Sequence, residues 1–129
     1  MPPELMWLGW SIVLGLVYVL VAAALATWQR GLKWNVSNRD GAAIPLTGMA
    51  ARAARANHNF LETFAFFAAA ALTVVLAHKS NTWSVLGAQI YFWARVVYLP
   101  VYIVGIPYLR SLVWAASFWG ILQLLEALL

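Results

Sequence analysis

The chain of 129 residues contains no cysteine. That excludes disulfides, thiolate metal sites and a protein thiol nucleophile together. Charge is scarce too: Asp, Glu, Lys and Arg make up 9% of the residues, against about 25% in ordinary soluble domains. Asp40 is the single aspartate, and the two histidines, His58 and His78, lie twenty positions apart. A zinc or di-iron centre needs about three or four protein ligands, so no metal is expected. What remains is apolar: 64% hydrophobic residues, with a mean hydropathy of +0.80. This composition excludes a soluble domain, a disordered tail and a linker, and the length excludes two domains. Eight Trp and five Tyr fit the interfacial aromatics of a small integral membrane protein. A net charge of +4 would raise nucleic-acid binding in a soluble protein. Here the basic residues flank or enter apolar segments. They read as topology signals and anion ligands, with no nucleic-acid partner.

Four apolar stretches follow one another. The first runs from about Leu5 to Trp28 without a charge, long enough for the roughly 20 residues that span a bilayer. Met1-Pro2-Pro3-Glu4 before it has no basic side chain, so it does not read as a signal peptide. The second covers about Thr47 to Ala77 and the third about Trp83 to Gly105, with Arg95 near its middle and Pro100 as a kink site. The fourth covers about Tyr108 to Leu129. The very short link at Gly105-Ile106-Pro107 predicts an antiparallel hairpin, and residues 29–46 read as a polar loop. Residues 1–129 thus predict one all-α domain, a four-transmembrane-helix bundle. Basic residues gather in the first loop, at Arg52 and Arg55, and at Arg110. The positive-inside rule puts that side in the cytoplasm and both termini outside, with Lys79 as the main counterweight.

The second helix carries the polar residues. At about 100° per residue, Arg52, Arg55, Asn59 and Glu62 share an arc of roughly 80°, with His58 roughly 40° beyond. Ionisable residues inside a span face a bundle interior or a wet cavity. On the third helix Tyr91, Arg95, Tyr98 and Tyr102 share an arc of about 60°. A structural ion pair between Glu62 and Arg95 would satisfy both charges. Arg110, Ser111 and Trp114 open the fourth helix, where free N–H groups add to a guanidinium to favour an anion. Bland readings stand beside these: Arg52 and Arg55 as snorkelling cations, Tyr91 as core, Arg110 as a topology signal. The convergence suits a small polar anion beside a hydrophobic slot, such as a zwitterionic peptide with two carboxylates.

Arg55-Ala56-Asn57-His58-Asn59-Phe60-Leu61-Glu62-Thr63 resembles the R-x-x-x-N-x-x-E signature of the MAPEG family (membrane-associated proteins in eicosanoid and glutathione metabolism). Arg95-Val96-Val97-Tyr98 with Tyr102, then Arg110-Ser111, resembles its third and fourth helices, and Gly31 to Gly41 looks most like bacterial members. The resemblance implies four-helix protomers assembled as homotrimers, with glutathione as co-substrate between adjacent protomers near the cytoplasmic face. It assigns glutathione contacts to Arg30, Arg55, His58, Asn59, Glu62, Tyr98 and Tyr102. It makes Arg110, with Ser111 beside it, the group that stabilises the thiolate. Trp114 stands where some relatives have a tyrosine, which removes one hydroxyl from the ligand's surroundings.

The resulting expectation is a bacterial inner-membrane glutathione transferase of the microsomal type, with possible peroxidase activity, acting on lipophilic small molecules delivered by membrane lipid. Two alternatives stay open. One is a non-catalytic member that binds glutathione or lipid, since function lives in the site rather than the fold. The other is a small multidrug transporter, although that class relies on a lone acid in its first span, whereas the acid here is in the second.

Overall fold

The computed structural model describes residues 1–129 and consists of helices alone: α1 (Pro3–Arg30), α2 (Leu32–Val36), α3 (Gly48–Leu76), α4 (Thr82–Val104) and α5 (Pro107–Leu128). The four long helices fall on the four apolar stretches. The loop between the first two holds more structure than expected, because α2 forms a single turn within it. Gly31, at φ 93°, ends α1 and lets α2 start at once.

Three helices, α1, α3 and α5, are each long and apolar enough to cross a membrane. The third apolar stretch, α4, does not reach that level, because it carries Gln89, Arg95 and three tyrosines. Of these, Tyr91, Arg95 and Tyr98 are turned inward, whereas Gln89 is exposed. Ser84, Gly87, Ala88, Tyr91, Arg95 and Tyr98 form the buried stripe of α4, at the three- and four-residue spacing of one helix face. The first helix also begins earlier than its apolar run. Glu4 lies in its first turn and is fully buried, so α1 is not free of charge. The hydroxyls of Ser80 and Ser84 both donate to Oε2 of Glu4. Asn81 and Ser84 also form a reciprocal cap on α4, with both hydrogen bonds at 2.8 Å. Lys79 Nζ donates to the carbonyl of Leu128 at 3.0 Å. This end of the bundle is therefore tied across α1, the α3–α4 link and α5.

The short link between α4 and α5 follows from its residues. Gly105 adopts the left-handed conformation, its N–H and that of Ile106 donate to the Val101 carbonyl, and Pro107 takes the first helical position of α5. The helices then pack antiparallel, with Gly87 against Gly120. A Cβ on Gly87 would lie 2.6 Å from the Gly120 carbonyl oxygen, so only glycine admits this backbone contact. The core has two parts. One joins Phe67, Val74, Tyr91 and Leu124, with the Phe67 and Tyr91 rings stacked at 4.0 Å. The other joins Tyr18, Ala56, Phe60, Tyr98 and Leu99, with Tyr18 and Phe60 4.6 Å apart. Ala50, Ala53 and Ala56 are buried along the first turns of α3, where small residues let helices approach closely.

Gly120→Ala should lower stability by about 1–3 kcal/mol through overpacking. Gly9→Ala is the control, because nothing lies within 4 Å of a Cβ there. Thermal unfolding in detergent reads both, and equal midpoints for the two variants would contradict the close contact.

Candidate functional site

Three helices converge on one cleft of about 560 Å³, within the range of roughly 300–1,000 Å³ typical of small-molecule sites. From α3 come Ala54, Arg55, His58, Asn59 and Glu62, the residues that helical spacing places on one face. Tyr98 and Tyr102 enter from α4, and Arg110, Ser111 and Trp114 from the first two turns of α5. The candidate ligand contacts singled out on these three helices all line the cleft, whereas Arg52, Tyr91 and Arg95 do not. Ala54 carries no chemical signal in the sequence. Its place one turn before His58 is the only pointer to it.

Tyr102 organises the cations. Its hydroxyl accepts from Arg55 Nε at 3.3 Å, and the Arg55 guanidinium carbon is 5.9 Å from its ring centre. The Arg110 guanidinium carbon is 4.8 Å from the same ring. One phenol thus holds two cations from different helices within cation–π range. Tyr98 stands edge-on to Tyr102 with ring centres 5.5 Å apart. Trp114 stacks on Phe118 at 5.3 Å and gives the cleft an apolar wall. Ser111 Oγ donates to the Pro107 carbonyl at 3.3 Å, so its oxygen lone pairs remain available.

The expected Glu62–Arg95 ion pair does not form. Glu62 pairs with His58 instead, Nε2 to Oε1 at 3.4 Å, on the exposed face of α3. Arg95 points the other way, into the interior, where none of its surface is exposed. Its Nη1 donates to Asn59 Oδ1 at 2.7 Å and its Nη2 to Thr63 Oγ1 at 2.8 Å. The faces of Tyr98 and Tyr91 lie 4.8 and 5.7 Å from its guanidinium carbon. A guanidinium has only donors, so it fixes the oxygen of the Asn59 amide toward itself. The amide N–H groups are then left for the cleft that Asn59 lines.

Arg30 does not line this cleft. Its Nε donates to the Ile44 carbonyl at 2.8 Å, and it lines a separate hollow with Trp34 and Arg39. The turn of α2 and the folded-back loop hold it there, away from the cleft of its own chain. Tyr91 is core, and its hydroxyl lies 3.1 Å from Thr63 Oγ1. Arg52 does not line the cleft. Its Nε donates to the Ile103 carbonyl at 2.7 Å, where a cation complements the C-terminal end of α4.

The sequence profile of the MAPEG family matches residues 7–129, nearly the whole chain. The chain belongs to the MAPEG family. No curated protein and no solved structure matches it. Membership and the apolar helices together make it an integral membrane protein of a family concerned with glutathione and lipids. MAPEG proteins generally use glutathione and are typically homotrimeric. The R-x-x-x-N-x-x-E residues that carry the resemblance are the ones α3 presents to the cleft.

Thr63 is the residue that the sequence leaves without a role. It follows Asn59 by one turn on the same face, and its hydroxyl serves both Arg95 and Tyr91. Thr63→Val should cost about 1–3 kcal/mol, because a buried charged donor loses its acceptor. Thr63→Ser should recover most of that. Thermal unfolding in detergent compares the two, and a Val variant as stable as the Ser variant would contradict the assignment.

Proposed function

We propose that this MAPEG protein is a glutathione transferase of the microsomal type that activates the glutathione thiol against lipophilic electrophiles. One observation carries the reading. Arg55, Asn59, Glu62 and Arg110 meet at a single cleft from helices far apart in sequence. Their chemistry matches a tripeptide with two carboxylates, one ammonium and one thiol. Guanidinium groups and the Asn59 amide take carboxylates, and Glu62 takes the ammonium.

In the same reading all four long helices span a bacterial inner membrane. The cleft lies on the cytoplasmic side with the basic residues, and both termini lie opposite. Glu62 and His58 are exposed on the single chain, although they sit within a membrane-length helix. Ionisable groups facing lipid are costly. A neighbouring copy in a homotrimer would cover them and close the cleft from its open side.

Arg110 supplies the activating charge. A free thiol has a pKa of about 8.5 and is mostly protonated at neutral pH. A guanidinium beside it favours the thiolate, and each unit of lowering corresponds to about 1.4 kcal/mol. The thiol proton leaves to water. The sulfur forms a C–S bond with the electrophile while the leaving group departs with its electron pair. With a lipid peroxide the sulfur instead breaks the O–O bond, giving an alcohol and a sulfenic acid that a second glutathione reduces to the disulfide and water. Trp114, Tyr98 and Ala54 offer the apolar surface against which such a substrate rests.

The purified protein in detergent is titrated with glutathione while thiolate absorbance is followed in the ultraviolet. Turnover with an activated halonitroarene is measured in parallel. Arg110→Ala should reduce the thiolate signal about tenfold or more, with a smaller loss of affinity. Arg55→Ala and Glu62→Gln should each weaken binding by roughly 10–150-fold, as for lost hydrogen bonds to charged groups. Equal losses of thiolate and affinity in Arg110→Ala would overturn its role. Binding with a thiolate signal but no turnover on any electrophile or peroxide would favour a non-catalytic glutathione-binding member.

A further inference from the structure

Arg95 has no counter-ion. Its side chain is wholly buried, its Nε has no hydrogen-bond partner, and both acceptors on its other nitrogens are neutral. The chain's one close contact between a basic and an acidic side chain is that of His58 with Glu62, and it does not involve Arg95. Around the guanidinium the ionisable neighbours are phenols. Tyr91 and Tyr98 face it from α4, and Tyr18 from α1 donates to the Arg95 carbonyl at 2.6 Å. Arginine does not lose its proton in proteins, so this charge is permanent. A lone buried charge is strongly unfavourable unless another charge offsets it.

The cleft adjoins this charge. Asn59 and Tyr98 each line the cleft and also contact Arg95. Low-dielectric surroundings leave the field of Arg95 poorly screened across that distance. Arg55, Arg110 and Arg95 bring three positive charges to the region, and Glu62 brings one negative charge. Among these four side chains the balance is two positive charges. Arg52 stands aside at the carbonyl end of α4.

Glutathione carries two carboxylates and one ammonium, so it has one net negative charge as the thiol and two as the thiolate. We infer that Arg95 is the third cation of the site, a positioning residue behind Asn59 and Tyr98 whose unpaired charge makes the cleft select the thiolate form of glutathione. This rests on the glutathione reading and adds a determinant that does not touch the ligand. Without Arg95 the balance falls to one positive charge, which matches the un-ionised thiol.

Two ligands separate charge selection from simple site-building. Glutathione can ionise at sulfur, whereas S-methylglutathione cannot and keeps one net negative charge. Both are titrated into wild-type, Arg95→Gln and Arg95→Lys protein in detergent, and the pH midpoint of the thiolate absorbance is recorded. In Arg95→Gln the midpoint should rise by roughly one unit. At pH values above both midpoints, glutathione affinity should fall about tenfold more than S-methylglutathione affinity. Arg95→Lys should keep the wild-type midpoint, because it keeps the charge. An unmoved midpoint with equal affinity losses for both ligands in Arg95→Gln would overturn the inference while leaving the glutathione reading intact. A midpoint in Arg95→Lys raised by the same unit would overturn it too, even if the Gln variant failed to assemble. Wild-type protein that binds neither ligand would remove the glutathione reading and this inference together.

Discussion

A guanidinium in an apolar interior must find partners, and in this MAPEG chain that requirement organises α3 against α4. Arg95 reaches Asn59 and Thr63, one helical turn apart, and lies between the faces of Tyr91 and Tyr98. Slipping either helix by one residue would break both hydrogen bonds at once. The same contacts pass into the cleft, since Asn59 and Tyr98 belong to both neighbourhoods. One side chain therefore takes part both in the packing of α3 against α4 and in the polarity of the site. The lipid-facing surfaces contribute little to this register, because burying aliphatic side chains between helices in a membrane brings no hydrophobic gain.

Around that fixed point the cleft is assembled by aromatic rings rather than by ion pairs. Tyr102 carries Arg55 and Arg110, and Tyr98 leans on Tyr102. Cation–π contacts leave guanidinium edges free, whereas carboxylate partners would occupy them. The arginines are thus held in place with most of their hydrogen-bond donors unspent, Arg55 giving only Nε to the Tyr102 hydroxyl. At the other end of the bundle the reverse holds. Glu4 spends one oxygen on two serine hydroxyls and is closed off from solvent. One end of the molecule is built for a visitor and the other for closure.

Much of this was legible in the sequence because helical periodicity is a strong signal. The arc of Arg55, Asn59 and Glu62 and the stripe of Tyr91, Arg95 and Tyr98 appear as single faces of α3 and α4. The hairpin at Gly105 and Pro107 was legible for the same local reason. What spacing does not give is the relative rotation of two helices. Glu62 and Arg95 lie at compatible depths, yet one faces outward and the other inward, so each finds a different partner. The place of Arg30 is set by loop conformation, which periodicity does not give. Glu4 escaped notice because a helix that starts at Pro3 turns a residue that reads as a polar leader into a buried one.

The contact between Gly87 and Gly120 lies about 16 Å along α4 from Tyr98, at 1.5 Å per residue. Backbones touch at that level, whereas at the other end of the hairpin Tyr98 and Tyr102 of α4 and Trp114 of α5 line the cavity. The two helices are thus fixed against each other at both ends, by the glycine pair and by the link at Gly105 and Pro107. The walls that a guest would touch are held from a point that no guest ever reaches.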